Sequence, residues 1–225
     1  MQKILESVFD LAYLVTVITL GARMIRMRGG RQLTLFGVMA VVLGAGDAFH
    51  LLPRVAAQWM PASAQLTAAL GVGKLVTSVT MTVFYVLLYA IWRMRYGITG
   101  KRGLTAAVAL LAAARVALCC FPQNAWTSAD APLSWGIFRN VPFTLLGLLL
   151  IVLFFRSARR SGDRPYRLMW LTITLSFAFY LPVVLFAGRV PAAGALMIPK
   201  TCAYVWAVLI GYLDGRRGPG AARAA

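Results

Sequence analysis

The sequence predicts an all-α membrane protein, a bundle of seven transmembrane helices with the N-terminus outside and the C-terminus in the cytoplasm. Hydrophobic residues make up 60% of the 225 residues and charged residues only 13%, which is a membrane composition. Seven apolar runs are each long enough, at roughly 20 residues, to cross a bilayer. Basic residues collect in alternate connections between these runs, as is typical of the cytoplasmic loops of membrane proteins.

The apolar runs follow one another with short connections between them. They cover residues 5–25, 33–52, 67–92, 104–121, 134–155, 168–187 and 191–213. Pro53 is expected to end the second helix, because a proline disfavours helical geometry in the residue before it. Residues 1–214 therefore form one seven-helix membrane domain. Residues 215–225, rich in Gly, Ala and Arg, are predicted to be a disordered basic tail.

The positions of the basic residues predict the orientation. They surround the first, third and fifth connections and the C-terminal end: Arg23, Arg26, Arg28, Arg31, Arg93, Arg95, Lys101, Arg102, Arg156, Arg159, Arg160, Arg164, Arg167, Arg216, Arg217 and Arg223. The other connections hold little more than Arg54 and Arg189. By the positive-inside rule the N-terminus is outside, in a multi-pass protein of the plasma membrane. The net charge of +17 then reflects topology and attraction to anionic lipid, so nucleic acid is not an expected partner.

A polar segment lies near the end of the second apolar run, where the sequence reads LGAGDAFHLLPR. Asp47 and His50 are three residues apart and therefore share one helix face. Ionisable groups in an apolar helix usually face the protein interior or a water-filled cavity. We therefore predict that Asp47 and His50 are catalytic residues; the alternative is a structural pair that only joins helices.

The ionisable residues within the apolar runs are unevenly distributed across the predicted membrane. They lie in its outer half or near its middle: Glu6, Asp10, Asp47, Lys74, Arg115, Arg139 and Lys200. A water-filled cavity open to the outside would let such acids and bases pair and stay hydrated. The asymmetry therefore predicts a polar pocket entered from the outer face. For Glu6, Arg54 and Arg139 the alternative is snorkelling from helix ends to the interface.

Polar residues of several helices are candidates for ligand binding in this pocket. In the third run, Lys74 and Ser78 fall on one helical stripe with Tyr85, although hydroxyl packing between helices would give the same pattern. Lys200, one turn before Tyr204, would bind an anion, pair with an aspartate or carry a Schiff base. The complete set of ligand-binding candidates is Asp10, Lys74, Ser78, Tyr85, Tyr180, Lys200 and Tyr204.

Neither a metal site nor a cofactor is predicted. Cys119, Cys120 and Cys202 all fall in apolar stretches without the spacing of a zinc site or a disulfide framework. The motifs of serine hydrolases, zinc proteases and phosphate-binding loops are missing from the sequence.

The glycine-aspartate pair followed by Leu51-Leu52-Pro53-Arg54 resembles the bacterial lysoplasmalogenase (YhhN-like) family. These are small polytopic membrane hydrolases that cleave the vinyl-ether bond of lysoplasmalogens. The resemblance covers residues 35–54, with fainter similarity at Tyr85 and over residues 204–211, and implies a catalytic role for Asp47. The family's histidine on the next helix is replaced by Thr82, and its later aspartate is missing from residues 176–181. His50 would then have to serve as the second proton carrier.

These observations leave three functional hypotheses. In the first, the chain is a lysolipid hydrolase in which Asp47 and His50 transfer protons while Lys74 or Lys200 holds an anionic head group. In the second, it is a transporter or ligand-binding protein in which the same charges bind a small anion or couple to protons. In the third, seven helices with Lys200 in the last are similar in outline to retinal-type photoreceptors. The expected partners are membrane lipid and a small anionic ligand, and the oligomeric state is left open.

Overall fold

The computed structural model describes residues 2–27, 29–128, 130–188 and 190–221 and contains seven long helices. They are α1 (Gln2–Arg26), α2 (Arg31–Trp59), α3 (Ala64–Arg95), α4 (Arg102–Cys120), α5 (Leu133–Ser161), α6 (Met169–Phe186) and α7 (Met197–Ala221). All seven are long and apolar enough to cross a membrane, and the described residues form no strand. The predicted all-α fold with seven candidate membrane spans is therefore confirmed.

Successive helices run antiparallel, and α7 returns to pack against α1 and α2. Helix α3 occupies a central position, because it contacts α2, α4 and α5 and its Phe84 packs edge-on against Tyr204 of α7, with ring centroids 5.7 Å apart. The interior around α3 is aromatic: the ring of Tyr85 lies 5.1 Å from that of Phe143 and 5.5 Å from that of Phe177. These contacts join α3 to α5, α6 and α7.

Two glycines allow α2 and α3 to approach closely. A Cβ atom at Gly46 would overlap the side chain of Thr80, and one at Gly73 would lie 2.2 Å from the carbonyl oxygen of Phe49. The hydroxyl of Thr77 uses this proximity to donate a 3.0 Å hydrogen bond to the carbonyl of Gly46. Small residues at such a contact let helix backbones pack without a side chain between them.

The prediction that Pro53 ends α2 is wrong, since the helix continues through it to Trp59. A proline lacks the N–H that would bond to the carbonyl four residues earlier, here that of Phe49. That carbonyl lies against Gly73 of α3. Beyond the proline, Arg54 contacts α1 through Glu6, so packing against the two neighbouring helices holds the extra turns in place. The connection to α3 is therefore short.

The last helix begins and ends later than the apolar run suggests. Residues 191–196 form a 3₁₀ segment, α7 begins at Met197, and the helix continues to Ala221. The first part of the predicted disordered tail is thus helical, whereas residues 222–225 lie outside the described residues. Arg28 and Arg189 also lie outside them.

We name the two ends of the bundle after residues located there. The Trp59 end carries the α2–α3, α4–α5 and α6–α7 connections, and the Arg95 end carries the others. At the Arg95 end, the guanidinium of Arg95 forms two hydrogen bonds to Asp163, of 2.8 and 2.9 Å, and one of 2.8 Å to Asp214 of α7. The ring of Tyr166 lies 4.4 Å from the same guanidinium. These contacts fasten α3 to the α5–α6 connection and to α7.

Candidate functional site

Asp47 lies in the contact between α1 and α2. The hydroxyl of Tyr13, which is buried, donates a 2.6 Å hydrogen bond to Oδ2 of Asp47. The sequence analysis did not select Tyr13. The signal that identifies it is its spacing in α1, because Glu6, Asp10 and Tyr13 lie at positions i, i+4 and i+7 and so face α2 together.

Further polar contacts join α1 and α2 closer to the Trp59 end. Arg54 forms a 3.2 Å ion pair with Glu6, and the amide of Gln58 donates a 3.3 Å hydrogen bond to the same carboxylate. The hydroxyl of Ser7 donates a 2.8 Å hydrogen bond to Gln58. Glu6 and Arg54 therefore belong to an interhelical network, which accounts for them better than independent snorkelling does.

Asp10 lies between these two sets of contacts and is buried. Its Oδ2 atom accepts no hydrogen bond from any described residue. The carboxylate interacts electrostatically with Arg54 and with the like charges of Glu6 and Asp47. In the described part of the chain, Asp10 and Lys200 form no ion pair. Pairing with an aspartate was one alternative for Lys200, and Asp10 is not that partner.

Lys200 of α7 is only 6% exposed. Its Nζ atom lies 4.8 Å from the ring centroid of Tyr180 and 5.3 Å from that of Tyr204, an arrangement that stabilises an ammonium by cation–π attraction. Lys200 also interacts electrostatically with Asp47, although no described carboxylate lies within 4.0 Å of it. The buried ammonium is thus surrounded mainly by aromatic rings.

Six polar residues of five helices lie toward the Trp59 end and are linked by pairwise electrostatic or cation–π interactions, and we call them the polar ring: Asp47, His50, Lys74, Arg139, Tyr180 and Lys200. On one side, His50 interacts electrostatically with Lys74 and Lys200, and Lys74 interacts with Arg139 of α5. The Nδ1 atom of His50 has no hydrogen-bond partner among the described residues. One nitrogen of the His50 imidazole therefore forms no hydrogen bond within the described part of the protein.

The other side of the polar ring closes through α6 and α7. Arg139 interacts electrostatically with Tyr180. The amine of Lys200 lies over the Tyr180 ring and attracts the carboxylate of Asp47 electrostatically. Lys74 is exposed, and Asp47 and Tyr180 are half-buried. The structure therefore brings both predicted catalytic residues together with Lys74, Tyr180 and Lys200.

The polar ring has an excess of positive charge. Lys74, Arg139 and Lys200 are cationic, whereas Asp47 is its only carboxylate. Within the described residues, none of the three cations has a carboxylate within 4.0 Å. A group of cations that outnumbers its carboxylates attracts anions. The ring can therefore accept a negatively charged group.

Two asparagines and a buried arginine form hydrogen bonds to members of the polar ring. Arg115 is 1% exposed and donates hydrogen bonds of 2.7 Å to Oδ1 of Asn140 and 2.8 Å to the carbonyl of Arg139. Asn140 also accepts a 2.9 Å hydrogen bond from Tyr180, and Asn124 accepts one of 2.8 Å from Arg139. The sequence analysis did not select the asparagines. Asn140, adjacent to an arginine in an apolar run, carried the clearer signal.

The remaining ligand-binding candidates lie outside the polar ring. Ser78 is buried and donates a 2.7 Å hydrogen bond to the carbonyl of Lys74 in its own helix, the packing that was the alternative for this residue. Tyr85 and Tyr204 are buried in the aromatic interior, and the Tyr85 hydroxyl has no hydrogen-bond partner among the described residues. The predicted stripe of α3 thus reaches the ring only at Lys74.

Comparisons of the chain with protein-family models, with curated proteins and with solved structures find no match. In the described part of the chain, no three His, Cys, Asp or Glu side chains are grouped so that they could hold a metal ion.

Proposed function

We propose that this chain is a multi-pass plasma-membrane protein that binds a small anionic ligand in the polar ring, as a transporter or ligand-binding protein. The observation that carries the proposal is that Lys74, Arg139 and Lys200 converge without a described carboxylate within 4.0 Å of any of them. With the N-terminus outside, as the basic connections predict, the ring lies in the outer half of the membrane and opens outward.

The energetics of buried charge support an anionic ligand. Removing a cation from water costs several kcal/mol, and aromatic rings return about 2 kcal/mol of this at best. Lys200 has two such rings and no close carboxylate. A bound anion would supply a closer counter-charge than Asp47, which acts on Lys200 from beyond 4.0 Å. The exposure of Lys74 and the partial exposure of His50 would let the ligand arrive from water.

The acidic residues of α1 and α2 support a defined position for the anion. Glu6 is engaged by Arg54, and Asp47 by Tyr13. These negative charges lie on the α1 side of the ring, whereas Arg139 belongs to α5. Repulsion from Asp47 would therefore hold the ligand toward α5, and His50 would supply a proton-accepting nitrogen beside it.

Anion binding can be tested by thermal unfolding of the purified protein in detergent with inorganic phosphate, sulfate or acetate. A ligand at 100 times its dissociation constant stabilises the folded state by about 2.7 kcal/mol, so the melting temperature of wild type should rise with anion concentration. Lys200→Gln and Lys74→Gln should each remove most of this rise. Lys101→Gln, an exposed lysine at the Arg95 end, should leave it unchanged. No response of wild type to any anion would refute the proposal.

A second candidate function is hydrolysis of a lysolipid. It is favoured by the hydrogen bond from Tyr13 to Asp47 and by the unpartnered Nδ1 of His50 one turn further along α2. Together with the family resemblance, this arrangement supports Asp47 as general acid or base and His50 as the second proton carrier. Lys74 or Lys200 would hold the head group.

Hydrolysis can be tested by incubating the purified protein with lysoplasmalogen and with other lysolipids. Release of an aldehyde or a fatty acid is expected from wild type. Asp47→Asn should abolish it, whereas Asp130→Asn, which changes an exposed loop residue, should not. If no lysolipid yields a product, or if Asp47→Asn stays fully active, this candidate function is wrong.

A further inference from the structure

An apolar groove runs along the outside of the bundle between α5 and α6, beside the polar ring. Its volume is about 240 Å³. The walls are formed by aliphatic residues of both helices: Ile137, Val141 and Leu145 of α5, and Leu181, Val184 and Leu185 of α6. The α5 residues span about 12 Å at a rise of 1.5 Å per residue. The groove is therefore long and narrow.

The local sequence accounts for the position of the groove. Pro142 of α5 and Pro182 of α6 each interrupt the backbone hydrogen bonding of their helix at this level. Further toward the Arg95 end the two helices meet closely, because a Cβ atom at Gly147 would overlap the ring of Phe177. The contact of Gly147 with Phe177 thus bounds the groove on the side of the Arg95 end.

Two polar residues of α5, Asn140 and Thr144, also line the groove, and the Thr144 hydroxyl donates a 2.8 Å hydrogen bond to the carbonyl of Asn140. Asn140 lines the groove and is otherwise buried. Its Oδ1 atom accepts hydrogen bonds from Arg115, at 2.7 Å, and from Tyr180, at 2.9 Å. Tyr180 is a member of the polar ring. Asn140 therefore lines the apolar groove and also contacts Arg115 and a member of the polar ring.

The charges behind Asn140 complement an anion. Neither Arg115 nor Arg139 has a carboxylate within 4.0 Å among the described residues. The Nε atom of Arg115 is buried and has no acceptor there. Basic pockets between transmembrane helices are suited to the anionic head groups of lipids, and an apolar groove next to such a pocket is suited to an acyl chain.

We propose that the groove between α5 and α6 holds one acyl chain of a membrane phospholipid whose anionic phosphate lies in the polar ring. A lipid would then reach the ring from the bilayer along the α5–α6 groove, whereas inorganic phosphate would reach it from water. This inference rests on the proposed anion binding and adds to it the class of the ligand and its route. The groove would bind the acyl chain, and the cations of the polar ring would bind the phosphate.

The test compares binding of an anionic phospholipid with binding of inorganic phosphate alone. Native mass spectrometry of the detergent-purified protein measures binding of dioleoylphosphatidylglycerol and of the zwitterionic dioleoylphosphatidylcholine, and thermal unfolding measures binding of inorganic phosphate. Val141→Trp and, on the opposite wall, Leu185→Trp fill the groove. Val152→Trp is the matched control, because Val152 is 48% exposed on the same helix outside the groove and Val141 is 50% exposed.

Wild type should bind phosphatidylglycerol at least tenfold more tightly than phosphatidylcholine. Both groove variants should weaken phosphatidylglycerol binding tenfold or more while the response to phosphate stays unchanged, and Val152→Trp should behave as wild type. Unchanged lipid binding in both groove variants, or equal binding of the two lipids, would overturn the inference while leaving phosphate binding intact. Loss of all binding in wild type, phosphate included, would overturn the proposed function as well.

Discussion

Tyr13 and Asp47, 34 residues apart in sequence, are joined by a 2.6 Å hydrogen bond that ties α1 to α2. The tyrosine hydroxyl is the donor and the carboxylate the acceptor. Asp47 also interacts electrostatically with Lys200 of α7. The carboxylate therefore links the acidic network of α1 and α2 to the cations of the polar ring.

Removing the Tyr13 hydroxyl should destabilise the protein, because Asp47 of the polar ring then loses a hydrogen bond. Tyr13→Phe is expected to lower the free energy of unfolding by about 1.5 kcal/mol, because a half-buried carboxylate loses its donor. A double-mutant cycle with Asp47→Asn, measured by unfolding in detergent, should give a coupling energy of about 1 kcal/mol. A coupling energy near zero would show that the two groups do not stabilise each other.

Asn140→Asp should make the melting temperature of the protein nearly independent of added anion. The new carboxylate would lie at the acceptor position that Arg115 and Tyr180 already use and would supply an internal counter-charge. We expect loss of most of the rise in melting temperature that phosphate causes in wild type, measured from the ligand-free value of each protein, because the variant also loses the amide bond from Asn140 to the carbonyl of Gly136. If the variant responds to phosphate as strongly as wild type does, the charge excess is not the cause of anion binding.

Gly73→Ala should separate α2 from α3. The added methyl group would meet the backbone of Phe49 and His50, which cannot move as a side chain can, so we expect a loss of about 2 kcal/mol in the free energy of unfolding. Gly103→Ala is the control, since no atom lies within 4 Å of its Cβ position. A smaller loss for Gly73→Ala than for Gly103→Ala would argue against the close helix contact.

Breaking the Arg95 contacts should destabilise the opposite end of the bundle. Asp163 and Asp214 are both buried against Arg95, with side chains 6% and 14% exposed. Arg95→Gln would leave two carboxylates without their partner, which is expected to cost about 3 kcal/mol. Arg102→Gln, in an exposed position on α4, should change the melting temperature by less than a degree or two. Equal losses in the two variants would contradict the assigned contacts.

The Arg95 end should also make stability fall at alkaline pH. Burial, followed by the nearby charge of Asp163, raises the pKa of Tyr96, and burial together with Asp214 raises the pKa of Tyr166. Both tyrosines therefore stay protonated in the folded protein at a pH where unfolded tyrosine, with a pKa near 10, ionises. Their contribution is complete below pH 10 and decreases above it. The melting temperature measured from pH 8 to 11 should fall less steeply in the Tyr96→Phe/Tyr166→Phe variant; an unchanged slope would contradict this origin.

The helices and the positions of the charged residues were predictable because both follow from local patterns. A run of apolar residues identifies a helix such as α6 without any knowledge of its neighbours, and a lysine in such a run stands out by itself. Tyr13 and Asn140 carried only weak sequence signals, a shared helix face and a neighbouring arginine, because the role of a tyrosine or an asparagine in an apolar helix depends on the residue opposite. That partner depends on the register of two packed helices.

Pro53 shows why one helix boundary was wrong. The rule that a proline ends a helix describes an isolated chain, in which the lost hydrogen bond has no replacement. In the bundle, Gly73 packs against the affected carbonyl and Glu6 holds Arg54 beyond it. Tertiary contacts therefore override the local preference, and no local pattern reveals such contacts.

The fastening of Arg95 to Asp214 determines how the far end of the molecule can move. Lys74 lies 21 positions before Arg95 in α3, a lever arm of about 30 Å along the helix axis. Because Arg95 joins α3 to α7 at this end, Lys74 of α3 and Lys200 of α7 can move apart at the other end only if one helix tilts relative to the other. An opening of ~3 Å at the tips then requires a tilt of only ~6° at the pivot, by the same helix geometry.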